Sequence, residues 1–246
     1  MKKLSFYSFL IFFGFLTSCA SGQFPNLSNL PNLPTTVGSP SGARPTDAEV
    51  ANGLKEALIQ GTTKGTAQAS QTNGYFGNSL IRIPFPPEIK KVETTLRNVG
   101  MGQEVDKFVL SLNRAAEDAA ISAKPIFISA IKSLTIKDVW NILTGEKDAA
   151  TQYLKRTTSS QLTTAFKPII QKSLDKVNAT KYYGTVITSY NKIPLVQKVN
   201  PDLNAYATDK AIQGLFTLVA QEEANIRENP IARTTDLLKR VFGYKG

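Results

Sequence analysis

From Thr46 to Phe242 the apolar residues fall three and four apart in one run after another, and strict alternation is nearly absent. Such spacing lays an apolar stripe down one side of a helix, whereas a half-buried strand repeats every second residue. Thr46 and Glu49 have capping-box spacing before Val50, Leu54 and Leu58, and Gly61 offers a stop. Gly65 to Leu80 reads as a polar loop or a frayed extension, and Ile81 to Pro87 as extended chain. Pro87 opens a helix carrying Ile89, Val92 and Leu96 that Gly100 ends. Val105, Phe108, Val109, Leu112, Ala116 and Ala119 form the next stripe, which Pro125 bends or restarts.

Thr135 and Asp138 cap a helix with Ile136, Val139, Trp140 and Leu143 inward. Asp148 starts another, with Tyr153 and Leu154 inward. Thr158 and Gln161 repeat the cap spacing ahead of Leu162, Phe166, Ile169, Ile170, Leu174 and Val177, with a kink at Pro168. Tyr182, Val186, Ile187 and Tyr190 mark a short helix. Leu203 to Ile226 mark a long one, and Asn229-Pro230 precedes the last, with Leu237, Leu238, Val241 and Phe242 inward. The expected fold is a single all-α domain over residues 46–246, of about eight to ten short antiparallel helices, with at most one short strand or hairpin near 80–85.

What precedes the domain reads differently. Lys2 and Lys3 lead into an apolar run from Leu4 to Leu16, shorter than the roughly 20 residues a membrane span needs. Leu16-Thr17-Ser18-Cys19 closes it and resembles a bacterial lipobox. That resemblance implies residues 1–18 as a cleaved signal peptide and a diacylglycerol thioether on Cys19. Sulfur is the nucleophile that takes the lipid. Ala20 and Ser21 stand where an inner-membrane protein often has Asp, which points to the outer membrane, facing periplasm or cell surface. Residues 19–45, with Pro25, Pro31, Pro34, Pro40 and Pro45 among Asn, Ser and Thr, read as a tether.

Composition narrows the chemistry. The chain has no histidine, and Cys19 is its single cysteine. The commonest metal ligand and neutral-pH base is therefore missing, and no thiol remains for zinc, a disulfide or a nucleophile. No metal or other cofactor is expected. The formal net charge is +10, of which Lys2 and Lys3 in the leader supply two. An exported chain meets anionic head groups and wall polymers rather than nucleic acid. The expected partners are the membrane, through lipidated Cys19, and an anionic envelope ligand or another envelope protein.

Several blocks resemble the bacterial lipoprotein family known as domain of unknown function 4197. They include Gly53-Leu54-Lys55-Glu56-Ala57-Leu58, Leu112-Asn113-Arg114-Ala115-Ala116-Glu117, Gly145 with Asp148-Ala149-Ala150-Thr151-Gln152-Tyr153, Glu222-Glu223, and Asn229-Pro230 with Arg233-Thr234-Thr235-Asp236. The resemblance runs from about Asp47 to Gly243 in the family's block order. It implies an exported, mostly helical lipoprotein and supplies no activity.

Glu222 lies on the stripe Leu215, Leu218, Val219, Glu222, Ile226 and so should face the core or a cleft. There it would be a general acid or base, or a buried ion pair with an arginine such as Arg114. Glu223 should project to solvent. Arg114 and Glu117 suit a local ion pair, or a polar pocket with Glu222. Asp148 and Thr151 suit capping, or with Lys155 and Arg156 an anion site at a helix start. Tyr153, Tyr182, Tyr183, Tyr190 and Tyr206 would line a cleft or edge the core. The functional expectations rank a binding or scaffold module first, a binder of a lipid head group or wall polymer second, and a hydrolase using Glu222 third.

Overall fold

In the computed structural model, residues 44–192, 194–195, 198–200 and 202–243 are described, leaving Cys19 and nearly all of the stretches expected as signal peptide and tether outside them. The described chain folds into α1 (Asp47–Ala69), α2 (Lys90–Asn98), α3 (Gly102–Ala120), α4 (Ala123–Lys132), α5 (Ile136–Leu143), α6 (Ala149–Asp175), α7 (Ala179–Tyr190), α8 (Leu203–Glu228) and α9 (Asp236–Gly243). Short 3-10 turns at Pro87–Ile89 and Pro230–Ala232 precede α2 and α9. No strand occurs among the described residues. The fold is all-α.

Three long helices, α1, α6 and α8 of 23, 27 and 26 residues, carry the frame, so the helices are not uniformly short. α8 lies against α6, α1 and α3; α6 also packs on α3 and α4; α1 meets α4 and α9. Leu54, Leu112, Phe127, Leu154, Leu162, Phe166, Ile170 and Leu215 are buried between them. Each such side chain contributes about 1.5–3 kcal/mol on leaving water. Phe127 meets Phe216 edge-on at 5.8 Å.

Gly61 does not end α1. A Cβ there would stand 3.3 Å from Cβ of Glu222, and one at Gly65 3.6 Å from Cβ of Leu218. The two glycines let α1 run close to α8, and that tertiary contact outweighs their weak local propensity. Thr62 and Thr66, buried on the same stretch, donate their hydroxyls back to Leu58 O and Thr62 O.

Two separately capped helices over 148–177 are likewise one. Thr158 is buried mid-helix and donates to Leu154 O rather than capping, and α6 continues through Pro168. Thr164, left without the amide that Pro168 lacks, lies in a turn whose hydroxyls bond back to Ser159 and Ser160. Pro125 stands in the first turn of α4, where a missing N–H matters least.

The stretch 70–86 is neither polar fringe nor strand. Tyr75 is fully buried, and its hydroxyl donates to Ala211 O at 2.6 Å. Gly214 permits this crossing, since a Cβ on it would lie 2.8 Å from the Tyr75 ring. Ile83 makes a ladder-like pair with a side chain: its N–H donates to Asn113 Oδ1 and its carbonyl accepts from Asn113 Nδ2, each at 2.8 Å. Loop backbone that would otherwise be orphaned is thus satisfied from α3.

Candidate functional site

The adjacent carboxylates of α8 divide between its two neighbours. Glu222 faces α1, where Lys64 pairs with it at 2.7 Å, and it does not meet Arg114. Glu223, expected in solvent, is the buried one. One of its oxygens accepts from Ala150 N at 3.0 Å, and the other accepts from Thr151 N and Thr151 Oγ1 at 2.8 Å. Arg227, one turn on, donates to Glu223 from Nε and Nη2 at 3.0 and 2.9 Å. α8 is packed on two sides, so its buried arc is wide enough to hold neighbours in sequence, which a single apolar stripe does not reveal.

This arrangement ties three helices together. Ala150 and Thr151 belong to the first turn of α6, whose amides lack intrahelical partners and carry partial positive charge. Asp148, the residue before the helix, places no side-chain bond on them and instead accepts from Gln152. Glu223 supplies the cap from another helix. Arg227 extends the tie to the other polarity, donating to Ile142 O at 2.8 Å and Leu143 O at 3.4 Å at the end of α5. The amides expected to hold an anion at the start of α6 therefore already hold a carboxylate of the chain itself.

A second tie closes the loop over α3. Glu117 is buried and accepts from Tyr75 N and Phe76 N, both at 3.1 Å, and from Arg114. Arg114 also donates to Asn73 Oδ1 at 2.8 Å, and Asn73 sits at φ 67°, a left-handed conformation that asparagine tolerates. Arg114 and Glu117 do form their local ion pair, with the loop folded onto it, while Glu222 belongs to another interface.

The tyrosines do not line one cleft: Tyr183 and Tyr206 lie near each other and Glu88, with Tyr206 donating its hydroxyl to Pro84 O, while Tyr153 and Tyr182 stand elsewhere. Tyr153 lies on α6 with the Arg156 guanidinium 5.6 Å from its ring centre. Tyr182 is exposed on α7 and Tyr183 is buried, stacked on Phe108 at 6.1 Å. The side chain of Tyr190 lies outside the described residues. Burial, with the nearby charge of Glu88 second, pushes the Tyr183 phenol up to about 12, and burial raises Tyr75 and Tyr206 as well. None of these three ionises near neutrality.

Two open clefts border this region. One, of about 350 Å³ between α5 and α6, is lined by Asp138, Glu146, Asp148, Gln152, Tyr153 and Arg156. Three carboxylates face one arginine, and hydrogen bonds from Thr135 hold the Asp138 carboxyl below its usual range. Lys155 is not part of it; it borders a groove between α6 and α8. The proposed anion ligands Asp148, Thr151, Tyr153, Lys155 and Arg156 thus fall on three different surroundings.

The other cleft, of about 660 Å³, opens between α1, α5 and α9. Val50, Trp140, Leu143, Val241 and Phe242 give it an apolar wall, and Arg44 and Arg227 stand at it. The Arg44 guanidinium lies 5.8 Å from the Trp140 ring centre. Arg227 and Phe242 also line a small, mostly apolar space of about 20 Å³ beside it. Trp140 and Phe242 read as core in the sequence, because an inward stripe looks the same whether it meets a neighbour or lines a cleft.

A family described as "Protein of unknown function (DUF4197)" matches residues 44–243. The chain belongs to the DUF4197 family. No curated protein and no solved structure matches it. In this DUF4197 domain the blocks that carry the resemblance coincide with the ties: Asn113, Arg114 and Glu117 hold the loop, while Thr151 and Glu223 join α6 to α8. Asn229 caps the turn before α9, accepting from Ile231 N, and Arg233 donates to Ile226 O and Arg227 O at the end of α8. Among the described residues of the DUF4197 domain, no group of three or more acidic, cysteine or histidine side chains is placed to hold a metal ion, and no helix is long and apolar enough to cross a membrane.

Proposed function

We propose that the chain is a lipid-anchored envelope protein whose helical domain acts by binding, with the Trp140 cleft as its ligand site. One observation carries the choice of site. Arg44 stands beside an aromatic and aliphatic wall in one open cleft, its guanidinium against the Trp140 ring, a combination suited to an anionic ligand with an apolar portion. The acidic α5–α6 cleft does not suit such a ligand. The buried carboxylates Glu117 and Glu223 support binding over catalysis, since their oxygens are engaged by backbone amides and an arginine rather than presented to a substrate. Placement at a membrane rests on the leader and on Leu16-Thr17-Ser18-Cys19.

Trp140 is the only tryptophan in the chain, so intrinsic fluorescence reads this cleft directly. Titrating the protein with a short-chain phosphatidylglycerol below its micelle concentration should shift the Trp140 emission to the blue and saturate. The phosphatidylcholine of equal chain length should bind at least about tenfold more weakly, as expected for loss of a charge-assisted contact. Arg44→Glu should remove the preference. An emission spectrum that neither lipid moves would refute the assignment.

A further inference from the structure

Between Asp175 and Asp202 the chain carries Lys176, Lys181, Lys192 and Lys198 and no acidic residue. All four lysines are exposed, and none meets a carboxylate among the described residues. Apolar side chains stand out in the same region: Val177, Tyr182 at 65% exposure, Val186, and Leu195 fully exposed at 106%. At the helical repeat, Val186, Tyr182, Thr185 and Lys181 follow one another around the outer arc of α7. Ala179, Tyr183 and Ile187 hold its inner face in the core.

The connection after α7 is clamped at its ends. Asn191 Nδ2 donates to Val199 O at 2.7 Å, and Val199 N donates to Asn191 Oδ1 at 2.8 Å. Within the clamp Leu195 has φ 63°. A leucine in the left-handed region is uncommon and has no polar group with which to offset the strain locally. Here a strained aliphatic residue is presented to solvent, with Lys192 and Lys198 three residues to either side. Strain of this kind persists where the surrounding structure holds it, and it clusters at functional sites.

We propose that the outer arc of α7 and Leu195 dock on an anionic phospholipid surface. Leu195 enters the acyl boundary, Tyr182 lies at head-group level, and the four lysines meet lipid phosphates while their stems lie along the surface. A fluid bilayer suits these features better than a folded partner does. The charge is of one sign and carried by flexible lysines rather than planar arginines, and the apolar group projects instead of forming a recess. This surface is separate from the Trp140 cleft and stands without it.

A reporter at the tip tests the contact whether or not Cys19 carries lipid. In the full chain with Trp140→Phe, Leu195→Trp makes the introduced indole the only one. With vesicles of mixed phosphatidylglycerol and phosphatidylcholine whose acyl chains are brominated, its emission should shift to the blue and be quenched. With phosphatidylcholine alone it should be neither. Ile231→Trp in the same background, at the far end of α8 and about 40 Å along that helix, should stay unquenched. Lys192→Glu with Lys198→Glu should lower apparent vesicle affinity by at least about 25-fold, since each surface lysine contributes about five-fold and reversal adds repulsion. Absence of quenching at Leu195 on the anionic vesicles, quenching equal to that at Ile231, or indifference to the lysine reversals would each overturn the proposal.

Discussion

Glu223→Ala is expected to destabilise the domain by about 3–5 kcal/mol, the range for removing one partner of a buried ion pair. The loss exceeds that of a single contact because three residues, Ala150, Thr151 and Arg227, are left without their acceptor. The Ala150 and Thr151 amides lose their acceptor at the start of α6, and Arg227 keeps its charge with only the carbonyls of Ile142 and Leu143 beside it. Against a total stability of about 5–15 kcal/mol for a typical domain, that is a large share. Urea denaturation followed by far-UV circular dichroism reads it as a lower midpoint at unchanged slope. Glu222→Ala is the matched control. Its partner Lys64 is largely solvent-exposed, so under about 1 kcal/mol should be lost. Equal losses at the two positions would contradict the assignment of Glu223 as the tie.

Glu117→Ala should release the loop over α3. The Tyr75 and Phe76 amides would be buried without an acceptor, and Arg114 would lose the carboxylate that holds it beside Asn73. A cost of roughly 3 kcal/mol follows from the unsatisfied amides and unpaired charge. Because Asn113 still grips Ile83, the opening should be local to 70–80. Hydrogen exchange would then show the Tyr75 and Phe76 amides exchanging about 100-fold faster while core amides of α6 keep their protection. Unchanged protection at Tyr75 would mean that burial of its ring, and not Glu117, holds the loop.

These two carboxylates mark where sequence stops being legible. Devices that close within a few residues could be read directly: Thr46 with Glu49 and Thr135 with Asp138 form reciprocal capping boxes as their spacing predicts. The start of α6 could not, because its cap comes from Glu223, 72 residues downstream of Thr151. Gly61 looks like a helix stop, and its role in a close approach to α8 exists only once α8 is in place. Asn113 looks like a mid-helix polar residue until Ile83 lies against it. The apolar periods located the helices, but a stripe gives one buried face, and not every member of it is inward: Ile136, Val177, Tyr182 and Val186 are exposed. α8 has interfaces on two sides, and the choice between Glu222 and Glu223 was lost in that difference. The Trp140 cleft was hidden for a related reason. Residues that line a cleft and residues that fill a core have the same spacing, and Arg44 gains meaning only from the ring beside it.

With Glu117 and Glu223 engaged inside, binding is placed at the surface, at the Trp140 cleft and on α7. Both proposals place the domain against an envelope lipid, and both depend on the chain reaching the envelope. Intact mass analysis of the chain purified from native membranes, with fragmentation of its first peptide, tests that placement most directly. The account predicts a chain that begins at Cys19 and carries a diacylglycerol thioether on its sulfur. A chain with an unmodified Cys19 thiol, or one still carrying residues 1–18, would contradict it.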